Sequence, residues 1–221
     1  MAQLAGRLRE PKSTARLDVN SAIVEGCRAA SLKIGGPGLS RLGITSSIRG
    51  EGRTSVALAM AIVQQEDYGR SVALLDLDLD NPQLARRIGV RPWPGIAELA
   101  RGGISIDDVL QPIGEGVVAV AAGAAGAGAP RIITDILRTD LIDRIGRDFD
   151  VVIADLPPLL GSSFGHAVAS WFPDLLLVLR SRVTPLARLK EATAHLPVEP
   201  KVLLNGTHSD LPRWVRRLAG R

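Results

Sequence analysis

The stretch LGITSSIRGEGRTSVALAMA, residues 42–61, decides the fold. Leu42 to Ser46 is a short apolar run of strand type, Val56 to Ala61 is helix-forming, and a polar turn holding Gly50 and Gly52 lies between them. A strand, a glycine-rich loop and a helix in immediate succession form the context that a phosphate loop requires. Gly50 and Gly52 let the backbone approach phosphate oxygens, and the helix N-terminus supplies oriented N–H groups. A hydroxyl at Thr54 is placed to ligate Mg²⁺. Taken alone, Gly-x-Gly-Arg-Thr-Ser is a weak signal that is also open to a purely structural reading, since any turn from strand to helix can be glycine-rich.

Working outward, further apolar runs read as strands. Ser71 to Asp76 ends in carboxylates, Val151 to Asp155 ends in Asp155, Leu175 to Leu179 ends at Arg180, and Lys201 to Asn205 makes a fifth. These runs are apolar on both faces and alternate with helical stretches such as Ser55 to Gln65 and Ile133 to Ile145. The pattern predicts an α/β fold with one doubly wound, mostly parallel sheet of about seven strands, covered by helices on both sides. Ligands of such sheets sit at the carboxyl ends of the strands. That is where Thr54, Asp76, Asp78 and Asp155 collect. Carboxylates at these ends suit the orientation of Mg²⁺ water shells and of an attacking oxygen in phosphoryl transfer. Strand-end aspartates also serve as helix caps, which is the competing reading, above all for Asp76.

Composition removes other classes. In 221 residues, 46% hydrophobic content is ample for a single core, and 3% aromatic content leaves little to stack single-stranded nucleic acid, so no nucleic-acid partner is expected. The single cysteine, Cys27, excludes a disulfide framework or a thiolate cluster formed by this chain alone. His166, His195 and His208 lack metal-site spacing. The formal charge of +4 comes mostly from arginine. No apolar run reaches the ~20 residues that span a bilayer. Trp93, between two prolines, is expected to cover a core edge. The tail from Leu211 to Leu218 carries Arg213, Trp214, Arg216 and Arg217, a pattern suited either to an anionic membrane surface or to a last packed helix.

From about Val19 to Gly206 these residues resemble the bacterial tyrosine kinases of capsular and exopolysaccharide systems, within the MinD/ParA-like P-loop ATPases. Glu25-Gly-Cys-Arg28-Ala-Ala-Ser31 is similar to the family's Glu-x-x-Arg-x-x-Arg oligomerisation helix. Residues 45–55 look like its Walker A segment, Asp76-Leu-Asp78-Leu-Asp80-Asn-Pro82 like its second carboxylate motif, and Gly95 to Gly102 like a helix that follows. Asp155-Leu-Pro-Pro158 looks like Walker B, and Leu203-Leu-Asn205-Gly206 resembles the strand whose asparagine meets adenine.

The departures bear on activity. Ile48 stands where MinD and ParA proteins carry their signature lysine, which favours the kinase branch. Within that branch Arg53 replaces the phosphate-binding lysine, Asp80 replaces an arginine, Ser31 replaces the second oligomerisation arginine, and a Pro-Asn-Pro stretch is missing near residues 117–130. The family's terminal tyrosine cluster is absent too, and the one tyrosine is Tyr68. Asp80 either adds negative charge to the site or points to solvent.

The resemblance implies a degenerate member with three parts: a mobile arm over residues 1–18, a P-loop ATPase or kinase-like domain over 19–210, and a basic tail over 211–221. It implies ATP or ADP with Mg²⁺ as cofactors. Gly50, Glu51, Gly52, Arg53, Thr54, Ser55 and Asn205 are expected to bind nucleotide, Thr54, Asp78 and Asp155 to serve the metal, and Asp76, Asp78 and Arg53 the chemistry. The expected role is a nucleotide-binding regulator of exopolysaccharide or capsule polymerisation and export with weak or lost hydrolysis. The alternatives are an active kinase phosphorylating a partner and a MinD/ParA-type positioning ATPase. The expected partner is a transmembrane polysaccharide co-polymerase or export protein. The expected place is cytoplasmic, peripheral at the inner face of the cytoplasmic membrane, with self-association and contact with the membrane surface as further expectations.

Overall fold

A computed structural model of the chain describes residues 19–206. The expected arm and basic tail fall wholly outside the described residues. Seven strands form one sheet: β1 (Arg41–Ser46), β2 (Val72–Asp76), β3 (Gln111–Gly114), β4 (Val117–Val120), β5 (Val151–Asp155), β6 (Asp174–Arg180) and β7 (Lys201–Asn205). Their order across the sheet is β3-β4-β2-β5-β1-β6-β7. All neighbours are parallel except β3 and β4, which form an antiparallel edge. The five runs expected from hydrophobicity are all strands. The Gln111–Gly114 strand was not legible, because Gln111 and Pro112 break the apolar signal and pairing with β4 supplies what propensity does not.

Strand side chains divide between two cores, as the two-residue period requires. Val72, Leu74, Val151 and Ile153 face one layer with α1 (Ser21–Lys33), α2 (Arg53–Glu66) and α3 (Leu84–Ile88). Ala73, Leu75, Val152 and Ala154 face the other, with α4 (Ile96–Arg101), α5 (Ile106–Val109), α6 (Ala129–Arg138), α7 (Leu141–Gly146), α8 (Gly165–Ala169) and α9 (Leu186–Thr193). Each fully buried Leu, Ile or Val in these strands contributes about 1.5–3 kcal/mol relative to exposure. Gly43 in β1 is tied to this packing: a Cβ there would lie 2.7 Å from Leu156 Cδ1 and 2.8 Å from Leu175 Cδ2.

Three expectations are corrected. The helical stretch from Ile133 to Ile145 is two helices, because Asp140 adopts a left-handed conformation at φ +47° and turns the chain between α6 and α7. Trp93 does not cover a core edge; it is 60% exposed. Ser31, expected at an oligomerisation surface, is fully buried and bonded to Gln64 Nε2 at 3.0 Å and Tyr68 Oη at 3.5 Å. Arg28 beside it bonds within the chain to Glu25 (2.5 Å), Glu66 (3.2 Å) and Asp67 (2.9 Å), tying α1 to the end of α2. Cys27 is buried, and desolvation pushes its thiol up to about 12.

Strand order positions the site. β2, β5 and β1 lie side by side with Asp76 opposite Asp155 and Asp155 opposite Ile44, so three carboxyl ends distant in sequence share one edge of the sheet.

Candidate functional site

The loop leaves β1 at Ser46 and enters α2 at Arg53. Gly50 and Gly52 hold φ values of +83° and +100°, conformations that L side chains rarely adopt, so the two glycines are required by the turn itself. Glu51 lies beneath the loop, not at its mouth. It is 1% exposed, and its carboxylate accepts from the Ile48 N–H at 2.9 Å, the Arg180 N–H at 3.1 Å and the Thr184 hydroxyl. Its own carbonyl accepts from Asn205 Nδ2 at 2.9 Å. Both residues were expected to bind nucleotide, and both are engaged in fixing the loop's shape. Leu159 and Leu160 N–H groups bond the Ser46 and Ser47 carbonyls, and Thr45 Oγ1 donates to the Pro157 carbonyl at 2.8 Å, joining the Pro-Pro segment after β5 to the loop.

Arg53 and Thr54 open α2 in the expected places. Thr54 Oγ1 donates to Asp155 Oδ2 at 2.5 Å. Arg53, 8% exposed, donates from Nη1 to the Leu156 carbonyl and from Nη2 to Asp78 Oδ2 at 3.0 Å. Its fork is therefore held against the end of the sheet. Asp78 is further occupied by the Asn81 N–H at 3.1 Å and by Arg49 at 3.6 Å. Asp76 accepts from the Leu84 N–H at 3.0 Å and the Asp78 N–H at 3.2 Å, so it shapes the loop that leads into α3. Burial, then the charges of Asp155 and Asp78, raise its pKa well above the carboxylate range. Burial also moves Asp155 from 3.8 to about 6, against the opposing pull of Arg53 and the Thr54 hydroxyl. Asp80 is exposed and accepts from Ser162 Oγ at 2.6 Å, which answers where it points.

Over this edge opens a cavity of about 610 Å³, within the range of small-molecule sites. Gly50, Gly52, Arg53, Thr54 and Ser55 form one wall, and α3 with the loop before it forms the other. Four arginines line it, Arg49, Arg53, Arg86 and Arg87, and no carboxylate does. Arg49, Arg86 and Arg87 were not singled out from sequence. The signal was present in Leu84-Ala-Arg-Arg-Ile88: Leu84 and Ile88 are buried one helical turn apart, which leaves the arginines outside.

The residues fit an anionic ligand and a hydrated Mg²⁺. Among the described residues two buried side-chain oxygens have no hydrogen-bond partner, Ser47 Oγ and Asp155 Oδ1, and both lie at this loop. Buried polar atoms without partners are rare unless a ligand or water completes them. Thr54 and Asp155 are the groups that would serve the metal; Asp78 would have to give up Arg53 first. Among the described residues no group of three or more His, Cys, Asp or Glu is arranged to hold a metal directly, and no helix is long and apolar enough to cross a membrane.

No model of a protein family matches the chain. It is 25% identical over 158 residues to the tyrosine-protein kinase ptk of Acinetobacter johnsonii, a match covering 71% of this chain and 21% of that one. The kinase domain of the Escherichia coli tyrosine kinase ETK superposes with a TM-score of 0.76 at 22% identity, covering 93% of this chain and 85% of that domain. The chain is a homologue of the bacterial tyrosine kinases. It spans only about a fifth of the length of the curated kinases it matches. MinD of Pyrococcus horikoshii, solved with Mg-ADP, shares the fold more loosely, with a TM-score of 0.58 at 19% identity over 81% of this chain and 76% of that one. The single mostly parallel seven-stranded sheet with flanking helices is thus that of the MinD/ParA-like P-loop proteins.

Proposed function

We propose that this kinase homologue is a nucleotide-binding regulator of exopolysaccharide or capsule polymerisation and export, with weak or lost ATP hydrolysis. The observation that carries the reading is Arg53. It stands where the resemblance places the phosphate-binding lysine, and its guanidinium is committed to Asp78 and the Leu156 carbonyl. To meet a γ-phosphate it must leave a buried ion pair, which leaves Asp78 with only the Asn81 N–H and the more distant Arg49 and costs free energy at the moment of reaction. A lysine would present a compact ammonium without that fork. The backbone of residues 50–55 and the Thr54–Asp155 pair support binding of ATP or ADP with Mg²⁺, the ion neutralising the charge that develops on the transferring γ-phosphoryl group. By the kinase resemblance the regulator acts at the inner face of the cytoplasmic membrane against a transmembrane polysaccharide co-polymerase or export protein. Tyr68, the one tyrosine of this sequence, is half-buried against Ser31 at the end of α2.

The test is phosphate release by the full chain alongside nucleotide titration. The wild type should bind nucleotide and turn over slowly, and Arg53→Lys should turn over at least about tenfold faster, equivalent to about 1.4 kcal/mol of barrier. A wild-type rate already equal to that of Arg53→Lys would show that arginine does not restrain catalysis. Co-purification of a polysaccharide-export protein from membranes checks the partner, and recovery of the chain without one would remove that part of the reading.

A further inference from the structure

We infer that Arg86 and Arg87 of α3, with Arg49, are anion-binding residues that let this chain hold a nucleotide's polyphosphate without a divalent cation. The inference rests on the nucleotide-site reading and assigns the charge that neutralises the ligand to residues outside the phosphate loop motif.

The cavity wall opposite the loop carries the argument. Arg53 and Arg49 share the Asp78 carboxylate, at 3.0 and 3.6 Å. Arg86 and Arg87 have no carboxylate within ion-pair distance among the described residues; Arg86 Nη2 donates to Gln83 Oε1 at 2.5 Å, and Arg87 Nη2 lies 3.5 Å from Ser55 Oγ at the loop's edge. Two uncompensated guanidinium groups thus face the N-terminal turn of the 14-residue helix α2 across one cavity. The field of that turn is also positive. Like charges converging without counter-ions repel one another, and an anion between them removes the repulsion.

Their placement is built in. Leu84 and Ile88 anchor α3 in the core, and the buried Asp76 carboxylate bonds the Leu84 N–H at the first residue of that helix. Asp76 is therefore a positioning residue for the arginine wall and does not itself line the cavity. On the other side, the carboxylates through which a cation would be held are already taken in part: Asp78 by two arginines and a backbone N–H, Asp155 by Thr54. Guanidinium forks bind phosphate oxygens in pairs and stay charged at all physiological pH values, so they can replace the charge that a divalent ion supplies.

Isothermal titration of the full chain with ADP, in excess Mg²⁺ and in excess EDTA, tests this, with pyrophosphate as a second probe that lacks base and sugar. ADP affinity in the two conditions should agree within about threefold. Arg86→Gln/Arg87→Gln should weaken ADP and pyrophosphate at least about tenfold in both conditions. Both side chains are exposed, so the variant should keep the wild-type circular dichroism and urea midpoint; Arg87→Gln alone, at a smaller loss, serves if the double variant does not fold. Binding of ADP that needs Mg²⁺ by tenfold or more, or a folded double variant that binds as wild type, would overturn the inference and leave the nucleotide site standing. No ADP binding in either condition would remove the nucleotide site and the inference together.

Discussion

Replacing Gly52 by alanine should distort the loop by an amount the structure allows to be worked out. Gly52 holds φ +100°, and an L residue in the left-handed region costs roughly 1–2 kcal/mol. A Cβ there would also lie 2.2 Å from Asn205 Nδ2, so the asparagine must swing away and release its 2.9 Å hydrogen bond to the Glu51 carbonyl. A hydrogen bond of that kind contributes about 0.5–1.5 kcal/mol net. The sum for Gly52→Ala is roughly 1.5–3.5 kcal/mol. Urea unfolding reads it as a fall in the midpoint at unchanged slope. The cycle with Asn205→Ala separates the two causes. In the Asn205→Ala background the glycine substitution should cost only the backbone part, so the two effects should fall short of additivity by about the hydrogen-bond increment. A Gly52→Ala protein within about 0.5 kcal/mol of wild type would refute the strain argument. A cost that is the same with and without Asn205 would refute the contact.

The pH dependence of stability has a definite sign at Asp155. Its folded pKa of about 6 lies above its ordinary 3.8, so the folded state binds a proton more tightly than the unfolded one. That contribution is fully present below about pH 4 and is lost as pH rises through about 6, a change on the order of 3 kcal/mol. The difference in unfolding free energy between wild type and Asp155→Asn, measured from pH 4 to 8, should follow this course; a difference that does not vary with pH contradicts it. Glu51→Ala leaves the Ile48 and Arg180 N–H groups and the Thr184 hydroxyl without their shared acceptor. It should cost about 2–4 kcal/mol in urea unfolding, with Glu51→Gln costing less; a loss under about 1 kcal/mol would mean that the loop does not depend on this bracket.

Much of the fold was written locally. Apolar runs of five or six residues, each followed by a turn or a carboxylate, marked five strands, and burial on both faces required a parallel sheet under two helix layers. Thr54 at a helix start, and Asp76 and Asp155 at strand ends, were legible because glycine turns and strand-terminal polar residues are properties of short segments. Which strand ends would be neighbours was not, since the order β2-β5-β1 brings together residues up to about a hundred positions apart. The same holds for direction. Glu51 turns under the loop because the Arg180 and Thr184 donors lie there, Arg53 turns onto the sheet because Asp78 and the Leu156 carbonyl receive its fork, and Ser31 turns inward because Gln64 lies opposite. Arg86 and Arg87 came to line the cavity only because α3 packs across from the loop. Periodicity and turn chemistry follow from the bonded chain and its nearest neighbours, so the sequence by itself determined the elements and the glycines between them. The partner of each charge depends on contacts between distant segments, which only the tertiary structure decided.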